Sequence, residues 1–555
     1  MERTGRPARC ALILALSLAA QGAAADPSSA PFDWSGAYIG YHTGGALGLV
    51  DVEDPFGGSI FGDTVRTPGL IAGGQLGYNW QLGATVLGLE ADASWADMDG
   101  TNTCFAFSGF YISANCRTEI DALGTFTGRL GWALPFDRRT LLYGKGGLAW
   151  EHAKTEATVN GGFGLPTTRT EGFVWGWTLG AGAERAIGSR WSLKAEYDFL
   201  SFDGDGFAAP ASIVQTGGAL VSTAGAATDI SQDIHQFKIG MNYKIGAGSA
   251  SPHEDLLAAL HPSGPSPSAT RIEAGVRYVH GWGQFHKDLG VTALSSLASR
   301  LTYEDTGLNG AEFFARIDTP HGVMVKGIVG AGTGSGKLND EDWGLPSPPF
   351  AAFVPYSNTL SDVDDDIRYV IVDVGYDWWR GAGYRVTPFV GYSHFRQNMS
   401  GYGCAQIANP NSDCVPAIPT SVLGITEHDR WNGLRLGTAV EVPIVPRLSL
   451  EAEAAYLPYV RFTGTDTHVL RSLVSPEDGD GVGIQLEAML SYAVTEALSV
   501  GVGGRYWSMW TTSGNVNFGG TGAFVPMRYA AEQAHLLVEG TYRFDLGERA
   551  RQPLK

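Results

Sequence analysis

Apolar and polar residues alternate one for one along much of this chain. In TVLGLEADASW, residues 85–95, Leu87, Leu89, Ala91, Ala93 and Trp95 share one face, with Gly88, Glu90, Asp92 and Ser94 on the other. RLSLEAEAAY at 447–456 sets Leu448, Leu450, Ala452, Ala454 and Tyr456 against Ser449, Glu451 and Glu453. HLLVEGTYRF at 535–544 sets Leu536, Val538, Tyr542 and Phe544 against Glu539 and Arg543. A period of two predicts strands. A soluble sandwich alternates too, but these runs reach about ten residues and place carboxylates opposite the apolar face. That is the pattern of a membrane barrel, with lipid outside and polar groups inside.

The connections alternate in length. Short ones are QLGA (81–84), PFDRR (135–139), IGSR (187–190), RGAG (380–383) and PIVPR (443–447). Long ones lie near 50–67, 97–119, 204–230, 334–364, 400–427 and 463–482. Short periplasmic turns and long external loops are the asymmetry expected of outer-membrane barrels. Residues 247–269, rich in Gly, Ser, Pro and Ala, read as a linker. About eight strands precede it and about ten follow, even numbers that keep both ends of each barrel in the periplasm. A single barrel of about eighteen strands is also arithmetically open, but the linker favours two. The expected fold is therefore all-β, with two tandem antiparallel transmembrane β-barrels at 32–246 and 270–546 and a short tail at 547–555.

Composition narrows the function. Lys plus Arg number 38 against 57 Asp plus Glu, a net charge of -19, which argues against nucleic acid as a partner. Charged residues are only 17% while Gly reaches 76 and Trp 15, unlike a typical soluble enzyme. Arg3, Arg6 and Arg9, the apolar run ALILALSLAA and the small residues AAAD predict an export signal over 1–25, cleaved after Ala25. Its apolar core is too short to span a bilayer, and Cys10 precedes it, unlike a lipid-modified cysteine. No later stretch predicts a transmembrane helix. Export into an oxidising compartment predicts two loop-stapling disulfides, Cys104 with Cys116 and Cys404 with Cys414. The rival, metal ligation, lacks a nearby His or further Cys at ligand spacing.

Strand parity carries the candidate chemistry. The third and seventh strands of the second barrel both rise, so NDEDW and the segment GTDTH reach the same outer rim. Asp340 and Asp342 are two apart, as are Asp466 and His468, so each pair shares a face if its strand continues. A His held by an Asp in one tautomer can act as a general base, and a facing carboxylate can position a water. Glu341 points the other way and is expected to be solvated. Asp97 and Asp99 sit in an outer loop of the first barrel with no His nearby and are expected to be solvated as well. Each acidic segment, taken alone, reads first as ordinary surface, because acidic loops are common on exported barrels.

Two resemblances add to this. FDWSGAYIGYHTGGALG at 32–48, with GGQLGYNWQ, GRLGWAL, LYGKGGLAW and HQFKIGMNYKIG, resembles the strands of small Omp25/Omp31-type outer-membrane proteins of alphaproteobacteria, over about 32–246. An eight-stranded barrel has room only for its own side chains, so a filled scaffold is expected rather than a pore. In the second half, GSGKLNDEDW and GTDTH resemble the two catalytic segments of the omptins, outer-membrane aspartate-histidine endopeptidases. SRLTYE (299–304), GYSHFR (391–396) and GLRLG follow in similar order, over about 270–546. The resemblance implies Asp340 and Asp342 as the aspartate pair and Asp466 with His468 as the dyad. A water would lie between His468 and the Asp340 side, with no metal, no cofactor and no covalent intermediate. It further implies lipopolysaccharide as activator, with Arg396 at a phosphate-holding position, and an extracellular peptide or protein as substrate. Two features depart from the family. Gly283 and Gly464 stand where omptins that cut between basic residues carry pocket acids, and DLGERARQPLK continues past the terminal aromatic. The other readings are a non-catalytic surface barrel, either an adhesin or a structural protein, and a passive porin.

Overall fold

Strands predicted from alternation are present throughout, and most run longer than their apolar pattern. The computed structural model describes residues 31–546 apart from 56–58, 108–111, 137, 161–166, 211, 217–218, 224, 247–268, 291–296, 344–355, 381–383 and 410–411. The predicted export signal, the tail and all but the last residue of the linker lie outside the described residues.

The first half contains β1 (Gly36–Val52), β2 (Thr64–Leu82), β3 (Thr85–Phe107), β4 (Ile112–Ala133), β5 (Thr140–Val159), β6 (Thr167–Ala186) and β7 (Trp191–Ala208). A small hairpin follows, β8 (Ser212–Thr216) with β9 (Ala219–Thr223), and then β10 (Ala227–Lys244). β1 to β7 and β10 form a closed antiparallel barrel, sealed by β1 on β10 from Tyr38↔Lys244 to Val52↔Ile230.

The second half contains β11 (Thr270–Gly290), β12 (Leu297–Glu304), β13 (Leu308–Asp318), β14 (Val323–Asp342), β15 (Ser357–Tyr376) and β16 (Trp379–Arg380). It continues with β17 (Arg385–Gln406), β18 (Ile418–Val445), β19 (Leu448–His468), β20 (Leu473–Ala493), β21 (Leu498–Asn517) and β22 (Phe524–Leu546). β11 pairs with β22 from Thr270↔Leu546 to Leu289↔Met527, so this sheet closes as well. The two sheets close separately, which excludes one large barrel. The second strand of this barrel is two pieces: β12 and β13 both fill the gap between β11 and β14. The chain breaks between them at Asp305, which takes a positive φ of 52°.

Outward positions carry the lipid belt. Trp175, Trp177 and Leu179 on β6 are exposed, as are Tyr278 and Trp282 on β11 and Leu536 and Val538 on β22. Inward positions carry charge. In the first barrel Arg129 reaches Glu184 at 2.7 Å and Lys238 reaches Asp198 at 2.7 Å. In the second, Arg277 reaches Glu312 at 2.8 Å and Arg435 reaches Asp373 at 3.0 Å. These buried pairs cross both interiors, which suits plugged barrels better than a porin.

Segments expected to be long loops are largely strand. β14 continues to Asp342, paired on one side with β12 (Ser299↔Asp342) and on the other with β15 (Asp342↔Ser357). Its outward residues change from Val325 and Val329 to Thr333, Ser335 and Lys337. Backbone pairing continues above the lipid belt, but the outer face there meets water, so the apolar period vanishes while the strand does not.

The barrels lie side by side with their short turns at the same end. There, Leu134, Ile187, Leu193 and Met241 of the first barrel pack with Tyr384, Val386, Val442 and Ile444 of the second. At the other end Arg66 pairs with Glu532 at 2.9 Å and Asp99 with Arg528 at 3.0 Å. Asp99 is therefore no free surface acid: it is held between Arg117 at 2.8 Å and the second barrel. Asp97 is exposed, as expected.

Candidate functional site

The site lies at the end of the second barrel with the long connections, above the outward apolar belt. Even-numbered residues of β14 face inward there, which points Asp340 and Asp342 into the barrel mouth. On β19 the inward row runs Val460, Phe462, Gly464, Asp466, His468. The four residues singled out by spacing thus share one interior. His468 Nε2 lies 3.3 Å from Asp466 Oδ2.

Their electrostatics are linked. Burial, and next the charge of Asp342, push the Asp340 carboxyl up to about 7, with His468 opposing. Burial also raises Asp342, against a hydrogen bond from Ser299. Burial works against the charge on Asp466, but Lys287 and His468 outweigh it and hold that carboxyl down at about 2. Burial likewise disfavours the imidazolium of His468, yet Asp466 and then Asp340 lift it above the ordinary histidine value. Near neutral pH Asp466 is therefore ionised, while Asp340 lies close to its titration midpoint.

Sequence reasoning missed the neighbours that enclose this dyad. Lys287 on β11 extends its Nζ to within 3.0 Å of Asp466 and 3.0 Å of Glu477, and it also pairs with Glu427. Carboxylate oxygens of Glu427, Asp466 and Glu477 lie within 4.8 Å of one another, and the Lys287 ammonium supplies the cation they surround. Gly464 lacks the acid expected from the omptin pattern. A Cβ there would meet Asp429 Oδ1 at 2.8 Å and Glu477 Oε2 at 3.0 Å. Carboxyl oxygens therefore reach this position from β18 and β20 instead. Alternation in TEHDRW puts Glu427 and Asp429 on one face, a usable signal, but the long connection expected near 400–427 takes in Glu427.

Glu341 corrects an expectation. It does point away from Asp340 and Asp342, but it is fully buried rather than solvated. The face of β14 opposite the barrel mouth packs against the first barrel, where Thr103 donates a hydrogen bond to Glu341 at 2.5 Å. Both expected disulfides are present, Cys104–Cys116 and Cys404–Cys414.

Arg396 faces outward from β17 and is the middle of a row. It lies directly opposite Arg368 on β15 and Arg430 on β18. Asp366 pairs with Arg368 at 3.1 Å, and the like charges that remain in the row repel unless a further anion lies over them. Neither flanking arginine was singled out from the sequence, because their alignment depends on register.

Comparison with known proteins places the first half. A family model described as the outer membrane protein beta-barrel domain matches residues 10–244, ending before the second barrel begins. The 31 kDa outer-membrane immunogenic protein of Brucella melitensis biotype 1 is 32% identical over 232 residues, which is 40% of this chain and 88% of that protein. The 22 kDa outer membrane protein of Rhizobium leguminosarum bv. viciae is 29% identical over 176 residues, 31% of this chain and 68% of that protein. Among solved structures, the outer membrane protease OmpT from Escherichia coli is 12% identical, covering 50% of this chain and 98% of that chain with a TM-score of 0.41.

Proposed function

This chain belongs to the family of outer membrane protein beta-barrel domains, and on that premise we propose that its second barrel is a cell-surface endopeptidase acting through an activated water. The observation that carries this reading is the Asp466–His468 contact of 3.3 Å at a barrel mouth into which Asp340 and Asp342 also point. Asp466 holds the imidazole of His468, whose neutral form takes a proton from water as the oxygen attacks a peptide carbonyl. The developing oxyanion needs a donor, and a carboxylate cannot be one. Asp340, whose carboxyl titrates at about 7, keeps its proton in a large fraction of molecules and can donate to that oxygen. Asp342 orients the water. His468 then returns its proton to the leaving amine, the C–N bond breaks, and the two peptide products leave without a covalent intermediate.

Membrane lipid and lipopolysaccharide are the partners this reading requires. Arg368, Arg396 and Arg430 form the row that holds lipopolysaccharide phosphates, and this ligand acts as activator. The site faces the cell exterior, and its substrate is an extracellular peptide or protein.

One observation favours a second reading, a non-catalytic surface barrel. The relatives that match are named as outer-membrane and immunogenic proteins, not as enzymes. The test is a fluorogenic peptide-library digest by refolded protein with lipopolysaccharide, run beside His468→Ala. Cleavage by the wild type alone supports the protease. Equal cleavage by both rejects the role of His468, and cleavage by neither supports the non-catalytic barrel.

A further inference from the structure

The first barrel touches the second at the candidate aspartates. β3 and β4 end in a hairpin stapled by Cys104–Cys116, and Thr103 beside one cysteine and Asn115 beside the other reach the second barrel. Thr103 Oγ1 donates to Glu341 at 2.5 Å and accepts from Arg300 Nη1 at 3.0 Å. Arg300 Nη2 donates to Asn115 Oδ1 at 2.8 Å and to Thr101 Oγ1 at 3.2 Å. On its own barrel Arg300 is fixed by Asp288 at 2.6 Å. The Trp343 indole N–H donates to Ser113 Oγ, and its ring lies in a small cluster with Leu297, Tyr356 and Ala408. Farther along, Asn160 accepts from the backbone N–H of Leu297 at 3.0 Å.

Each of these contacts falls on β12, on the end of β14 or on Trp343 just beyond it. β12 is the detached upper piece of the broken second strand, and it is the partner that aligns Ser299 with Asp342 and Leu301 with Asp340. Glu341 lies between Asp340 and Asp342 on the opposite face of one strand. Along a strand, holding the outward residue fixes where its two inward neighbours point. Arg300, Glu341 and Trp343 are all almost fully buried by this contact and by their own barrel. A buried, hydrogen-bonded arginine fork is a rigid anchor, because leaving it unpaired is costly.

We infer that the first barrel is a positioning subunit for the second: its disulfide-stapled β3–β4 hairpin grips Glu341, Trp343 and Arg300 and thereby holds Asp340 and Asp342 in register at the barrel mouth. Thr103, Ser113 and Arg300 are positioning residues, not catalytic ones. The catalytic half of this inference rests on the endopeptidase reading above, whereas the mechanical half does not.

The experiment uses the full chain, refolded in detergent with lipopolysaccharide. The double variant Thr103→Val with Ser113→Ala is compared with wild type and with Thr103→Ser, and heat-dependent electrophoretic mobility confirms that each is folded. Amide hydrogen exchange over 297–304 and 338–343 is the first readout, and peptide hydrolysis the second. Removing these three buried hydrogen bonds is expected to speed exchange in these segments by about tenfold or more, leaving other strands unchanged. kcat is expected to fall with KM unchanged, and Thr103→Ser is expected to restore both. If the double variant does not fold, Arg300→Lys, which keeps the charge but loses the fork, takes its place. Unchanged exchange in these segments overturns the inference whatever the activity. Absence of cleavage by the wild type rejects the endopeptidase reading alone, and exchange still decides whether the hairpin grips.

Discussion

Asp340 shows how much the setting of one side chain matters. Its carboxyl titrates at about 7 in the fold and near 3.8 in an unfolded chain, with burial the main cause. The folded state therefore binds the extra proton between those values. Its contribution to stability falls as pH rises through that window and is lowest above it. Asp340→Asn removes a half-buried charge. We expect it to raise the unfolding temperature, more at pH 8 than at pH 5, while abolishing cleavage. Thermal melts at the two pH values check this, and an equal or reversed shift would count against a destabilising carboxylate at this position. Spacing alone made Asp340, Asp342, Asp466 and His468 legible, because an i, i+2 pair on any strand shares a face. Lys287 was not legible. It lies in FHKDLG with no patterned partner, and its acids come from three other strands.

At the scale of elements, what was hard to read was where strands end. Apolar alternation reports contact with lipid, so it stops at the edge of the membrane. The hydrogen-bonded ladder continues for several more residues, and the site is built on that upper part. The row Arg368–Arg396–Arg430 exists only because β15, β17 and β18 pair in one register. A slip of one residue would turn one arginine inward. We expect Arg396→Ala with Arg430→Ala to weaken binding of lipopolysaccharide by the refolded protein and to flatten its salt dependence. Titrations at low and high ionic strength measure this, and an unchanged affinity would remove the row from the proposal.

The whole molecule is two barrels joined along their sides. Within lipid there is little hydrophobic force to drive this, so close packing supplies it. Ile444 lies in the apolar cluster shared by both barrels and is 8% exposed, whereas Val502 on β21 faces lipid at 49%. Ile444→Ala is expected to cost about 2 kcal/mol or more, as for a core truncation. Val502→Ala should cost far less, because lipid refills the space. Chemical unfolding in detergent micelles compares the two, and equal losses would mean that the cluster is not a packed interface.

By itself the sequence determined that the chain is all-β, that it divides into two barrels, and which face of each strand carries the acids and the aromatics. Those properties are local, because period-two alternation encodes the inward and outward face residue by residue. Only the tertiary structure decided that Lys287 enters the acid cluster, that three arginines align, that Glu341 is buried, and that the first barrel reaches the aspartates of the second. Each of these depends on register or on contact across long separations, such as the 238 positions between Thr103 and Glu341. Alternation fixes a side chain's face but not its opposite number, and register and packing between closed sheets supply that choice.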